Sequence, residues 1–159
     1  MTLSCPINLN LWRDCDALYM EHQTLCLQLQ DDHQLNVNLL LLALWLDKHH
    51  YLLPNPQWRQ LQQDTRCWEE KLLLPYRQLR RQSKACLETD EYRQMLDLEL
   101  MLERKSQAMI LTALELMPLE GQTSTSTSTN LSSNHNLSHY LALFNLDSRN
   151  YPSLQSASQ

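Results

Sequence analysis

Four basic residues near the middle of the chain, Arg77, Arg80, Arg81 and Lys84, follow one another at i, i+3, i+4 and i+7 with no acid between them. On a helix that spacing puts all four on one face. Three of the four are arginines, whose planar guanidinium forks match carboxylates and phosphates in two-point contacts. The chemistry this stripe suggests is anion recognition, with an acidic protein or a phosphate-bearing ligand as partner. The plainer reading is a solvated face paired with acids from elsewhere in the chain, either Glu88 or the long helix that follows.

A second polar group, Gln30, Asp31, Asn36 and Asn38, with Asp32 and His33 beside it, stands at the entry to the most apolar stretch of the sequence. Asn38 is surrounded in sequence by apolar residues. A buried amide left without partners costs about 1–3 kcal/mol, so these groups are expected to bond one another in a capping network. The alternative is a pocket, with Asp31 or Asp32 as carboxylate and His33 as base or ligand. A magnesium–diphosphate cage from Asp31-Asp32 with Glu99 and Glu103 falls short, because no third aspartate follows at helical spacing. His135 and His139 lie at i, i+4, a zinc-compatible spacing, but no glutamate stands between them and no metal is expected. Trp12, Trp45, Trp58 and Trp68 fall on apolar stripes and read as core. The five cysteines are odd in number, widely spaced and form no Cys-x-x-Cys pair, so they read as buried or free thiols in a reducing compartment.

Composition narrows the chemistry further. Gly121 is the one glycine in 159 residues. Phosphate-cradling loops and nucleophile elbows need glycine for tight turns and close backbone approach, so these designs are excluded. The net charge of −5 disfavours general nucleic-acid binding. The first residues lack the basic start and apolar core of a signal peptide, and Leu39–Leu46 is too short to cross a bilayer. A cytoplasmic protein that needs no membrane and no cofactor is expected.

The elements that must carry these residues are helices. Leucine dominates the apolar set, while Val37 and Phe144 are single representatives of their types. Strands favour β-branched and aromatic residues; Leu, Met, Gln, Glu and Arg favour helices. The periodicity predicts helices over 8–22 and 23–33, then a central apolar helix at about 36–50 capped by Asn36. A fourth helix starts at Asn55-Pro56 with Trp58, Leu61, Thr65, Trp68 and Leu72 facing inward. Pro75 ends or kinks it and begins the fifth. A long sixth helix, 89–117, has Met95, Leu98, Leu102, Met109, Ala113 and Leu116 as its expected buried side. The fold class is all-α: a compact irregular bundle of five or six helices. One helical domain should cover 1–120, followed by a disordered Ser/Thr-rich linker at 121–136, a short helix at 137–147 and a flexible tail at 148–159.

Two signatures resemble a family of short proteobacterial proteins catalogued as a domain of unknown function. One is Gln30-Asp31 followed by Asn36-Val37-Asn38-Leu39-Leu40-Leu41 and Trp45; the other is Pro75 with Arg77, Arg80 and Arg81. The resemblance spans roughly residues 9–117 and implies a bacterial cytoplasmic protein of no established activity. Gln34 stands where a glycine is expected. The sequence alone favours a non-catalytic helical interaction module that uses the Arg77, Arg80, Arg81 and Lys84 face. A small-molecule or metal-binding enzyme with its pocket at Gln30, Asp31, Asn36 and Asn38 is the alternative.

Overall fold

The computed structural model describes residues 10–117, 120–121 and 135–157. The described chain is all-α apart from one two-residue bridge. Its elements are α1 (Leu11–His33), α2 (Val37–Lys48), β1 (Tyr51–Leu52), α3 (Asn55–Trp68), a π-helical turn (Glu69–Leu73), α4 (Leu74–Ser83), α5 (Thr89–Glu115), β2 (Glu120–Gly121), α6 (His135–Ala142), a 3-10 turn (Ser148–Asn150) and α7 (Pro152–Ala157). They gather into two compact units, one of residues 1–60 with 115–159 and one of residues 61–114.

In the first unit α2 is central, packing against α1, β1, α6 and α7. Every residue from Asn38 to Asp47 is buried, as the all-round apolar pattern requires. Asn36 caps the helix as expected, its side chain accepting from Leu39 N–H at 3.2 Å. The two helices expected before it meet end to end in α1 at a kink on their expected boundary, where His22 leaves helical geometry at φ −123°, ψ 22°. Leu11, Cys15, Leu18, Cys26 and Leu29 form its buried side on both flanks of that kink. Gln34 closes α1 in the left-handed region, at φ 58°, with its N–H on the Gln30 carbonyl at 2.9 Å. This is the position where glycine was expected, and the backbone takes the glycine conformation without one.

The C-terminal helix begins at His135 and ends at Ala142, with Leu137, Tyr140 and Leu141 fully buried. Where a flexible tail was expected, the chain forms the 3-10 turn and α7, which buries Leu154. The linker assigned to 121–136 falls largely outside the described residues. Its two ends meet at one place: Gly121 pairs with Tyr51 across the antiparallel β1–β2 bridge, and Asn136 Nδ2 donates to the Tyr51 carbonyl.

In the second unit, Pro75 does not break the helix. A proline lacks an N–H and crowds the carbonyl four residues back. The π-helical turn that ends at Leu73 widens the backbone just ahead of it, and α4 continues. The wider turn also shifts the register of the buried stripe. Thr65 is buried as expected, but Leu73 (1 % exposed) takes the inward place expected for Leu72, which is 42 % exposed.

The inward face of α5 requires a correction. Leu98 and Met109 are 43 % and 41 % exposed, and Leu116, just past the helix, is 85 % exposed. The buried residues are Ser106, Gln107, Ile110 and Leu114. The helix is rotated because its N-terminal half meets α4 through polar groups instead of leucines.

Candidate functional site

The basic stripe lies on α4 and its C-terminal edge, as the spacing predicts. Its members separate. Arg77 Nε donates to Glu99 Oε1 at 3.4 Å, and its Nη2 contacts Glu103. Arg80 pairs with the other oxygen of Glu99 and donates from Nη1 to the Tyr92 hydroxyl at 2.8 Å. Tyr76 donates its hydroxyl hydrogen to the Met95 carbonyl at 2.6 Å. Lys84 Nζ lies 5.7 Å from the Tyr92 ring centre. These contacts stitch α4 and α5 into an antiparallel hairpin. Arg77 and Arg80 are largely covered (side chains 12 % and 17 % exposed), whereas Arg81 and Lys84 are exposed. The internal acid partners lie on the long helix, at Glu99 and Glu103. Burial raises the neighbouring Glu69 carboxyl, in the π-helical turn, to about 7; Arg77 opposes that shift, and Glu103 and Glu70 add to it.

The hairpin leaves apolar surface uncovered. No residue of α4 is buried, although the helix carries Leu74 and Leu79, which are 42 % and 54 % exposed. On α5 the residues Leu98, Met101, Lys105, Met109 and Thr112 recur at steps of three and four, so they share a side of the helix. An open groove of about 700 Å³ runs along this side, within the second unit. Leu61 and Ile110 line it and are buried; Met101, Arg104, Lys105 and Met109 line it and are exposed; Asp64 contributes an acid. The unit holds nine cations and nine carboxylates, so the chain's net charge of −5 resides in the other unit.

The helix-entry cluster divides as well. Asn36 is buried, and its N–H donates to the Tyr140 hydroxyl at 2.9 Å while that hydroxyl donates to the Asn36 carbonyl at 3.1 Å. Asn38 is buried and is not without a partner. Gln30 is half-buried, and Asp31, Asp32 and His33 are exposed. The structure therefore brings Asn36 and Asn38 into the core and leaves Asp31 outside it.

The polar centre that sequence reading missed is Asp47. It is 3 % exposed, and its carboxylate takes three donors from the start of α6: Asn136 N–H at 2.9 Å, Asn136 Nδ2 at 2.9 Å and Leu137 N–H at 3.1 Å. Asn136 Oδ1 in turn accepts from Leu53 N–H at 2.9 Å and Trp58 Nε1 at 3.4 Å. Asp47 thus caps a helix 89 residues away, where orphan amides and the positive end of the helix dipole favour an anion. Burial still outweighs those bonds and raises its carboxyl to about 6. No spacing rule connects positions 47 and 136. The signal that was available is a lone acid inside an otherwise apolar helix.

The remaining candidates are scattered. Cys15 and Cys26 are buried, and burial raises both thiols, Cys26 to about 11, so neither is a ready nucleophile. Cys67 and Cys86 are exposed, and Cys5 lies outside the described residues. His135 and His139 both lie on α6, and burial lowers the His139 imidazole. Among the described residues no group of three or more His, Cys, Asp or Glu side chains is arranged to hold a metal ion, and no helix is long and apolar enough to cross a membrane.

No curated protein and no solved structure matches the chain. A family profile does match, over residues 10–110, from the first turn of α1 into α5. Both signatures quoted above fall inside that span, so the chain belongs to the family described as protein of unknown function DUF2390.

Proposed function

We propose that this protein is a non-catalytic helical interaction module that docks an acidic partner through its second unit. The observation that carries the reading is the exposed apolar side of α5. Leu98, Met101 and Met109 repeat with helical periodicity, yet each is more than two-fifths exposed. Exposed apolar patches edged by polar residues are a mark of protein-contact sites. Methionine, with its flexible thioether chain, suits a surface that adapts to a partner.

The basic face keeps a share in this reading. Arg81 and Lys84 are exposed, while Arg77 and Arg80 hold α4 to α5. The pocket alternative at Gln30, Asp31, Asn36 and Asn38 has less support, since Asn36 is sealed by Tyr140 and Asp31 is exposed.

Site-specific photocrosslinking tests the proposal. A benzophenone side chain replaces Leu98, or Met20 of α1, which is 73 % exposed, as control. Irradiation in native cells should give a discrete adduct from position 98 that is weakened by the double change Arg81→Glu, Lys84→Glu. The same adducts from both positions, or none from 98, would end the reading.

A further inference from the structure

We propose that the groove between α3 and α5 is the seat of one amphipathic helix from an acidic partner, whose apolar residues enter between Leu61 and Met109 and whose carboxylates meet Lys105 and Arg104. This rests on the interaction reading above and assigns it an occupant.

The groove's dimensions fit a helix. From Met101 to Ala113 it follows three turns of α5, about 18 Å at 1.5 Å per residue. A helix laid in a groove presents anchors at i, i+3 or i+4, and i+7, which span about 10 Å and fit within that length. The buried Leu61 and Ile110 supply an apolar floor, and the exposed Met101 and Met109 supply walls.

Charge selects among possible occupants. The lining holds two cations, Arg104 and Lys105, against one acid, Asp64. Arg104 Nη1 also donates to Gln107 Oε1 at 3.0 Å on its own helix, which holds that guanidinium beside the groove. A second copy of this chain seated here about a twofold axis would bring four cations together against two acids. A basic helix would meet the same repulsion. An acidic helix gains an ion pair at the groove's edge and meets one like charge, Asp64, against two cations.

The test uses the full chain and two fluorescein-labelled synthetic helices of about 14 residues with identical leucine positions, one flanked by glutamates and one by lysines. Anisotropy at low salt should show the glutamate peptide binding roughly ten-fold or more tightly than the lysine peptide. The double change Arg104→Glu, Lys105→Glu should invert that order. Ala108→Trp, an exposed groove position, should weaken both peptides with the melting temperature unchanged. Equal affinities, no binding, an indifferent Ala108→Trp, or a wild-type dimer in sedimentation that Ala108→Trp dissociates would each overturn the proposal. If one of these occurs while position 98 still crosslinks to a partner, the groove assignment falls and the interaction module stands. If the crosslink is missing too, both fall.

Discussion

Replacing Asp47 by Asn isolates the energetics of the α2–α6 junction. The amide keeps one oxygen to accept from Asn136, but its Nδ2 then faces the Leu137 N–H, donor against donor, at a contact that is 3.1 Å in the wild type. Leaving that N–H unpaired costs about 1–3 kcal/mol. Against this, the mutant no longer buries a charge at neutral pH. The sign follows from the carboxyl being held at about 6 when folded, against an ordinary 3.8. The folded state takes up the proton more readily than the unfolded chain. The associated stability is therefore fully present below about pH 4 and is lost as pH rises through 6. Between pH 8 and pH 4.5 wild type should gain about 2 kcal/mol relative to Asp47→Asn, whose side chain does not titrate in that range. Urea unfolding followed by tryptophan fluorescence at several pH values reads this difference directly. A wild-type-minus-mutant difference that is flat with pH, or that grows toward alkaline pH, would refute the account of a buried carboxylate under-compensated by its three donors.

The π-helical register shift predicts opposite outcomes for neighbouring leucines. Leu73→Ala should cost about 2–5 kcal/mol, while Leu72→Ala should stay within about 0.5 kcal/mol, both by urea unfolding. Tyr140→Phe removes the hydroxyl that both accepts from and donates to Asn36, and should lower stability by about 1–2 kcal/mol without changing helix content by circular dichroism. Gln34→Gly should raise stability by roughly 0.5–1 kcal/mol, since the residue already sits at a positive φ that glycine adopts freely; a loss would mean that the Gln34 side chain contributes more than its backbone geometry suggests. Arg77→Met should cost about 1.5–3 kcal/mol and raise the Glu69 carboxyl further, measured by carbon-13 NMR titration, because the cation that counters Glu103 is removed.

Legibility in the sequence tracked the range of the interaction. The Asn36 cap depends on residues three apart, and the burial of α2 on an unbroken apolar run, so both were readable. The left-handed turn at Gln34 was only half readable: helices commonly end in one, but the glycine that marks it is replaced by a residue that leaves the geometry open. The π-helical turn was not readable: Pro75 announced a disturbance, but one extra residue per turn leaves no mark in a periodic pattern except the shift it causes downstream. The orientation of α5 was misread for a related reason. Leucine spacing identifies an apolar side without saying whether the chain itself covers it. Here Arg77 and Arg80 claim Glu99 and Glu103, and that turns Leu98 and Met109 away from α4. Asp47 was passed over because its partner lies at the far end of the sequence, where a polar first turn of α6 looks ordinary by itself.

The meeting of Gly121 and Asn136 at Tyr51 carries one more implication. A stretch of backbone that departs from and comes home to the same residue is a detour, and detours can be shortened or lengthened with little effect on what lies at the junction. Cargo, a tag or a cleavage sequence spliced into the thirteen residues between Gly121 and His135, nine of them Ser or Thr, should therefore leave Asp47 its hold on α6.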